Sequence, residues 1–287
     1  MKCRKSGIPD PRALEIPRQV QPMDLAKQSP WKRLDSLLRQ IRNFDPRVLQ
    51  SYTKNLQVRY DELSKNNVVV EKSIDVPTLL SDFENLREFP KLGASNLNYF
   101  LQVLDPSMDV DLIRDTIEVP QRNQIRAVLL PKYQNLLILT ETIARDEAIE
   151  IYKTYHDELM RAGRSSQKDR YQTLKEYAER WIKSNPNENR GLVRIISEPF
   201  KGKVYLRKDT CLWNEAIQDL EDNELKYYVC CYQDFESARL ANRSFVLTME
   251  RTIVEGHPFC DSVFHDTRID DELIHPSEEF FSSMNPE

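Results

Sequence analysis

The sequence FVLTMERTIVEGHPFCDSVFH, residues 245–265, decides the fold class. Both ends of this stretch are rich in β-branched and aromatic residues, and Gly256, His257 and Pro258 interrupt it in the middle. The pattern predicts two strands joined by a turn. Because residues 203–207 carry a similar strand pattern, we expect a small antiparallel sheet with a hairpin in the C-terminal half.

Helical periodicity dominates the rest of the chain. Apolar residues recur at helical spacing over 31–44, 46–63, 132–162 and 168–183. Pro131 is expected to mark a boundary or kink just before the third of these helices. Together these patterns predict an α+β fold that is mostly helical.

The composition predicts four regions along the chain. Residues 1–30 contain five prolines and few aromatic residues, so we expect a disordered Pro-rich tail there. Residues 31–120 are predicted to form an N-terminal helical region, and residues 121–270 a domain that carries the chemistry. The charged residues 271–287 are predicted to be a solvated acidic C-terminal tail. A pocket is expected where the helix over 132–162 meets the hairpin.

The glycine content excludes several enzyme classes. The chain has only six glycines in 287 residues, and no two are closer than eleven positions. The dinucleotide loop GxGxxG, the phosphate loop GxxxxGK[ST] and the nucleophile elbow GxSxG all need glycines a few residues apart. Neither a nucleotide nor another organic cofactor is therefore expected.

The net charge and the hydropathy of the chain indicate which partners it can bind and in which compartment it acts. The chain carries 41 Lys and Arg against 46 Asp and Glu, a net charge of −5, and lacks the clustered basic face that nucleic-acid binding usually needs. It also lacks an apolar run near the roughly 20 residues that span a bilayer, and its N-terminus does not read as a signal peptide. We therefore expect a cytoplasmic protein that acts on a small molecule, without nucleic acid or membrane. In a reducing compartment its five cysteines are expected to be thiols.

Thiols, imidazoles and carboxylates concentrate in one part of the sequence. The candidate site residues all fall between positions 211 and 266: Cys211, Cys231, Asp234, His257, Cys260, Asp261, His265 and Asp266. A thiol beside an imidazolium can act as a nucleophile near neutral pH, and a carboxylate can orient that imidazole. Two other interpretations remain open. The cysteines could be small core residues, or Cys211, Cys231, Cys260 and His257 could bind zinc, although their spacing is not that of a zinc knuckle.

The same region resembles a known enzyme family. The motif elements follow one another as Cys211, the step from Cys231 to Asp234, the pair Arg251-Thr252, Gly256, the pair Cys260-Asp261, and Phe264. In this order they resemble the L-2-amino-thiazoline-4-carboxylic acid hydrolase family. The motifs match specifically over residues 205–268, and a weaker similarity of helical pattern extends back to about residue 125. Bacterial members tend to carry a basic residue where this chain has Val263. The residues that follow, His265-Asp266-Thr267-Arg268, resemble the corresponding segment of the longer fungal members. Those members are expected to act in specialised metabolism and biosynthesis.

The resemblance implies hydrolytic opening of a small cyclic metabolite that contains nitrogen and sulfur. Cys260 is favoured as the nucleophile, with Cys231 as a further catalytic thiol. His257 or His265 would protonate the departing heteroatom and activate water, and Asp234 or Asp261 would orient the imidazole. Substrate-binding roles are expected for Arg251, Cys211 and Asp266. No metal ligand is assigned.

Two other functions remain open at this stage. The same scaffold could catalyse a non-hydrolytic step, such as a cyclisation or isomerisation, with water excluded. Alternatively, the chain could be a small-molecule-binding sensor module in which the cysteines are structural. The sensor hypothesis predicts ordinary thiol reactivity at Cys260 and an apolar pocket without a nearby histidine.

Overall fold

The computed structural model describes residues 1–64, 74–107, 114–162, 169–183 and 190–286. The chain forms two compact units. Unit 1 consists of Met1–Leu14 and Met160–Glu287, and unit 2 consists of Glu15–Leu159. Within the described ranges, no helix combines the length and apolar character needed to cross a membrane. The predicted α+β, mostly helical fold is confirmed.

Unit 2 is built almost entirely of helices. Its described elements are β2 (Pro17–Val20), α1 (Pro22–Ala26), a π-helical turn (Lys27–Trp31), α2 (Lys32–Phe44), α3 (Pro46–Leu63), α4 (Val76–Leu79), α5 (Pro90–Leu104), β3 (Ile117–Pro120), α6 (Gln121–Thr142) and most of α7 (Arg145–Ala162). The Asp45 side chain accepts a hydrogen bond from the Arg47 amide and Pro46 opens α3, which is a favourable helix start. Strands β2 and β3 pair antiparallel.

The prediction for residues 132–162 was wrong in its boundaries. Pro131 lies inside α6, and the break comes instead at Ile143, whose backbone is extended before α7 begins at Arg145. Most of α6 is buried, so tertiary packing offsets the cost of a proline inside the helix. The Pro131 carbonyl also accepts a hydrogen bond from the Tyr60 hydroxyl at 3.2 Å.

Unit 1 contains the predicted sheet. Its strands are β1 (Cys3–Ser6), β4 (Arg194–Ser197), β5 (Lys203–Lys208), β6 (Phe245–Thr248) and β7 (Cys260–Asp266), in the order β1-β4-β5-β7-β6. Every neighbouring pair is antiparallel, and the β6–β7 pair is the hairpin expected from the sequence. The helices of this unit are α8 (Leu174–Ile182), α9 (Leu212–Ala216), α10 (Asn223–Cys230), α11 (Gln233–Ala241) and α12 (Glu278–Ser282).

The two faces of this sheet are covered by different elements. Alternate residues of a strand point to opposite faces, and each face has its own core. The first face packs against α8 and α11 through residues that include Tyr177, Ala238, Leu206 and Phe264. The second face packs against α12 and its surroundings, and its core is Cys3, Ile195, Tyr205, Phe259, Val263, Phe281 and Met284.

The chain ends are not the solvated tails that composition predicted. Within residues 1–30, β1 pairs with β4 from Cys3 opposite Ser197 to Ser6 opposite Arg194. Near the other end, Phe281 of α12 is fully buried in the second face. Composition describes each segment alone and does not include its contacts with the rest of the chain. Here the edge of the sheet forms hydrogen bonds with β1, and the face of the sheet makes apolar contacts with α12. The boundary predicted between residues 120 and 121 lies inside unit 2.

Candidate active site

A row of three side chains crosses the first face of the sheet. The strand register places Arg194 of β4 opposite Lys208 of β5, and Lys208 opposite Cys260 of β7. Directly opposed residues in antiparallel strands have side chains on the same face, with Cβ atoms about 5 Å apart. Arginine, lysine and thiol therefore lie side by side on the floor of one site.

Helices and loops of unit 1 build walls around this row. Cys211 caps the start of α9, Cys230 ends α10, Cys231 follows it, and Asp234 lies in the first turn of α11. Together with Arg180 and aromatic residues of α8, they enclose a cavity of about 180 Å³. Since a water molecule takes about 30 Å³ of liquid volume, the cavity has room for one small heterocycle. Its lining comes from unit 1 and not from the helix over 132–162 that the sequence favoured.

Lys208 and Asp234 form an ion pair in the lining of the cavity. The Lys208 Nζ donates to Asp234 Oδ2 at 2.8 Å. Burial alone lowers the pKa of Lys208, but Asp234 and the neighbouring thiols of Cys260 and Cys211 raise it above its usual value. Lys208 is therefore a permanent positive charge beside Cys260 and not a proton donor near neutral pH.

Three of the cavity thiols, Cys211, Cys230 and Cys231, lie close enough to influence one another's pKa values. The pKa of Cys211 lies well above its usual value, first because of the neighbouring Cys230 thiol and then because of burial. For Cys230, the Cys211 thiol lowers the pKa, but Cys231 and burial outweigh it, so the pKa is also raised well above its usual value. These thiols stay protonated near neutral pH.

Cys260 has a different environment. Its Sγ accepts a hydrogen bond from the Ile253 amide at 3.2 Å. Burial raises the pKa of Cys260 to about 11, while Lys208 and the Ile253 amide act in the opposite direction. The cation and the amide donor would both stabilise a thiolate once it forms.

The structure divides the residues predicted for the site into separate groups. Only four of them line the cavity: Cys211, Cys231, Asp234 and Cys260. His257 is exposed in the turn before β7. Asp266 pairs with Arg268 at 2.6 Å near the end of β7. The prediction of one cluster was wrong, since it relied on proximity in sequence.

Asp261 and His265 belong to a network on the second face. The Thr248 hydroxyl contacts His265 Nε2 at 2.9 Å and His275 Nδ1 at 2.8 Å. His265 Nδ1 lies 2.5 Å from Asp270 Oδ2, and His275 Nε2 lies 3.2 Å from Asp261 Oδ2. Burial lowers the pKa of His265, against the opposing effect of Asp270. His265 therefore faces away from Cys260 and does not serve it as an acid or base.

Arg251 joins this network and not the cavity. Its guanidinium donates to Asp261 Oδ2 at 2.7 Å, and the Arg251 and Glu250 amides donate to Asp261 Oδ1 at 2.8 and 2.9 Å. Arg251 holds the hairpin together, so its predicted role as a substrate partner is not supported. Val263 also packs on the second face. A basic residue at position 263 would point away from the cavity, so the departure from the bacterial pattern does not alter the cavity.

The zinc alternative is not supported either. Among the residues that the structure describes, no three or more His, Cys, Asp or Glu side chains are grouped so as to hold a metal ion. None of the five described cysteines forms a disulfide bond.

Sequence reasoning missed Lys208, Arg194 and Arg180. The sequence does contain a signal for Lys208. Side chains alternate along β5, so Lys208 lies on the same face as the apolar Val204 and Leu206. A cation on an otherwise apolar face of a strand is unusual and indicates a functional or paired charge. Arg180 has no comparable signal, since it lies on a helix whose register against the sheet is set only by folding.

Comparisons with known proteins agree with the resemblance seen in the sequence. A family model described as L-2-amino-thiazoline-4-carboxylic acid hydrolase matches residues 122–264, about half of the chain. This span includes the strands and helices that build the cavity. No curated protein and no solved structure gives a significant match. Through residues 122–264, the chain belongs to the L-2-amino-thiazoline-4-carboxylic acid hydrolase family.

Proposed function

We propose that the protein is a cytoplasmic hydrolase that opens a small cyclic metabolite containing nitrogen and sulfur, in a pathway of specialised metabolism. The observation that carries this proposal is the placement of Cys260 beside Lys208 and Asp234 in a cavity that fits one small heterocycle. The family match supports hydrolase chemistry. Five cysteines without a disulfide bond among the described residues fit a reducing compartment.

Cys260 is the nucleophile in this proposal. Lys208 and the Ile253 amide favour its thiolate, whereas Cys230 and burial raise the pKa of Cys211 well above its usual value. Because the pKa of Cys260 is about 11, the free thiol must lose its proton during attack. Asp234 is the acceptor nearest the Lys208 ammonium and takes the role that the sequence analysis gave to a histidine.

The proposed reaction balances as follows. The Cys260 sulfur bonds to the amidine carbon of the ring while its proton passes through Asp234 to the ring nitrogen. The ring carbon–sulfur bond then breaks, and that proton moves to the departing sulfur, which leaves as a thiol. Water adds to the same carbon and releases Cys260 as a thiol, and the carbon ends as a urea carbonyl. The net change is the addition of one water molecule.

Turnover in heavy-oxygen water tests this proposal. The purified protein is incubated with L-2-amino-thiazoline-4-carboxylate, and the product mass is measured for wild type, Cys260→Ser and Cys3→Ser. Cys3 is a matched control because it is a buried thiol of the same sheet on the second face. We expect heavy oxygen in the product of wild type and C3S, and loss of turnover in C260S. Full turnover by folded C260S would exclude Cys260 as nucleophile, and a product without water would indicate a cyclase or isomerase.

A second candidate function is a small-molecule-binding module. Two observations favour it: the raised pKa values of the cavity thiols, and the lack of a histidine in the described cavity lining. The charged residues of the cavity do not fit the apolar pocket that this alternative predicted. Binding of the ring compound without any turnover, by wild type and C260S alike, would support this function over hydrolysis.

A further inference from the structure

The connection between β6 and β7 contains a single turn of 3-10 helix, Ile253–Glu255, which we call the Thr252 turn. Residues 252–255 read TIVE, the spacing of a capping box, in which a threonine and the glutamate three positions later fix the start of a helical turn. The family resemblance includes Thr252 and Gly256, yet neither residue belongs to the described cavity lining. Neither is therefore placed to contact a ligand in that cavity.

The Thr252 turn is closed by the residue that precedes it. The Thr252 Oγ1 atom accepts a hydrogen bond from the Glu255 amide at 3.2 Å and donates one to Glu255 Oε2 at 2.7 Å. The Thr252 carbonyl accepts hydrogen bonds from the amides of Glu255 and His257, both at 3.1 Å. Thr252 is almost fully buried, whereas Glu255 and His257 are exposed. These hydrogen bonds therefore fix the turn through one buried residue.

The fixed turn directs one backbone amide at the sulfur of Cys260. The first amides of a helical turn have no acceptor within that turn, and the Ile253 amide donates instead to Cys260 Sγ at 3.2 Å. A hydrogen bond of this kind stabilises a thiolate more than the neutral thiol. Burial raises the pKa of Cys260, and Lys208 and the Ile253 amide oppose that rise. The conformation of the turn is thus linked to the reactivity of the thiol.

The other end of the Thr252 turn depends on Gly256. Its φ is +97°, in the left-handed region, and its amide donates to the Ile253 carbonyl at 3.1 Å. A Cβ atom at this position would have no described neighbour within 4 Å, so alanine would strain the backbone without a steric clash. Substitution of Gly256 therefore disturbs the turn by a route that does not involve the Thr252 side chain.

We propose that Thr252 is a positioning residue for Cys260. Its side chain holds the turn that aims the Ile253 amide at the Cys260 sulfur, and this amide stabilises the thiolate that forms during attack. Thr252 acts through the backbone of the turn and makes no use of contact with the ring. This inference rests on the proposed function only for the role of Cys260 as nucleophile, whereas the contact between amide and sulfur does not depend on the reaction.

Alkylation of Cys260 tests the positioning role without any substrate. Labelling by iodoacetamide is followed by peptide mass spectrometry at several pH values below about 10. The variants are Thr252→Val, which removes the hydroxyl at nearly constant shape, Thr252→Ser, which keeps a hydroxyl, and Gly256→Ala. Thr267→Val is the control, because Thr267 is an exposed threonine of unit 1 whose hydroxyl also donates a hydrogen bond, to the Ser244 carbonyl at 3.2 Å. Circular dichroism confirms that each variant is folded.

We expect Cys260 to be alkylated about threefold to tenfold more slowly in T252V and G256A than in wild type at each pH, because the thiolate loses part of a hydrogen bond. T252S should recover most of the wild-type rate, and T267V should match wild type. In turnover of L-2-amino-thiazoline-4-carboxylate, kcat should fall by a similar factor with KM nearly unchanged, since the turn is not part of the described cavity lining.

The positioning role and the hydrolase proposal fail on different results. Unchanged alkylation in folded T252V and G256A, or equal slowing in T252S and T252V, would overturn the positioning role even if turnover falls. Slower alkylation in T252V and G256A, together with no turnover of the ring compound by wild type, would keep the positioning role and overturn the hydrolase proposal.

Discussion

Cys260 and Asp261 are consecutive residues of β7 whose side chains lie on opposite faces of the sheet. Cys260 lines the cavity beside Lys208, and Asp261 accepts hydrogen bonds that close the hairpin on the second face. The strand thereby separates a site for chemistry from a buried polar network that stabilises unit 1. Substitutions at the two positions should have separable effects.

We predict that Asp261→Asn destabilises unit 1 while Cys260→Ser leaves its stability nearly unchanged. Asp261 is fully buried and compensates Arg251, so removing its charge leaves a cation without its nearest partner. The expected loss is about 2 kcal/mol of unfolding free energy, because Arg251 is partly exposed and keeps Glu278 at 3.4 Å, and it is measured by urea denaturation. For C260S we expect a loss under about 1 kcal/mol. Equal stability of D261N and wild type would contradict this assignment.

The same carboxylate should make unit 1 sensitive to strong acid. Burial alone would raise the pKa of Asp261, but the adjacent His275 imidazole and hydrogen bonds from Arg251 and the Glu250 amide lower it to about 2 from 3.8. Its contribution to stability is therefore full above pH 3.8 and is lost as the pH falls through about 2. Unfolding free energy measured between pH 5 and pH 2 should fall more steeply in wild type than in D261N. Parallel curves for the two proteins would show that Asp261 is not the group responsible.

Lys208 should control the reactivity of Cys260. With a pKa of about 11, Cys260 should be alkylated slowly by iodoacetamide at pH 8 and faster as the pH rises. Lys208→Met removes the adjacent cation, so alkylation of Cys260 should slow further at each pH and turnover should fall about a hundredfold. Peptide mass spectrometry measures the alkylation. The control is Lys175→Met, at an exposed position of α8. Alkylation that is complete at neutral pH, or faster in K208M, would contradict this prediction.

Phe281 should stabilise unit 1 although it lies in an acidic C-terminal segment. Its ring is fully buried, 5.4 Å from the His275 ring and 6.4 Å from the Tyr205 ring. Phe281→Ala should cost about 3 kcal/mol through lost contacts and a cavity. Phe200→Ala removes a phenylalanine that is largely exposed in the same unit and should be nearly neutral. Similar thermal stability of both variants would contradict the docking of α12.

His156 should make unit 2 sensitive to mild acid. It is almost fully buried, and burial, together with the charges of Arg33 and Lys132, lowers its pKa from 6.5 to about 3. Because the unfolded chain binds the proton more readily, stability is full above pH 6.5 and declines below it. The expected loss between pH 8 and pH 5 is about 2 kcal/mol. His156→Gln should remove this loss, and His257→Gln, at an exposed position, should leave it unchanged.

The local elements of the fold were predictable because their signals are short in range. Periodic apolar residues gave α2 and α3, and the stretch over residues 245–265 gave the β6–β7 hairpin. The break at Ile143 and the continuous helix through Pro131 were not predictable, since packing outweighs the local preference of proline. For the same reason, the composition of the chain ends did not predict that β1 pairs with β4 or that Phe281 of α12 packs against the sheet.

The sequence by itself determined which thiols and carboxylates were available, the hairpin that carries Cys260 and Asp261, and the family to which this region belongs. Only the tertiary structure decided which of them meet. Alternation along β7 sends Cys260 and His265 to opposite faces, and pairing across three strands brings Arg194, Lys208 and Cys260 into one row. Consecutive residues of a strand have their side chains on opposite faces of the sheet. The pairing register of neighbouring strands places residues that are distant in sequence on the same face, and that register is set by long-range packing.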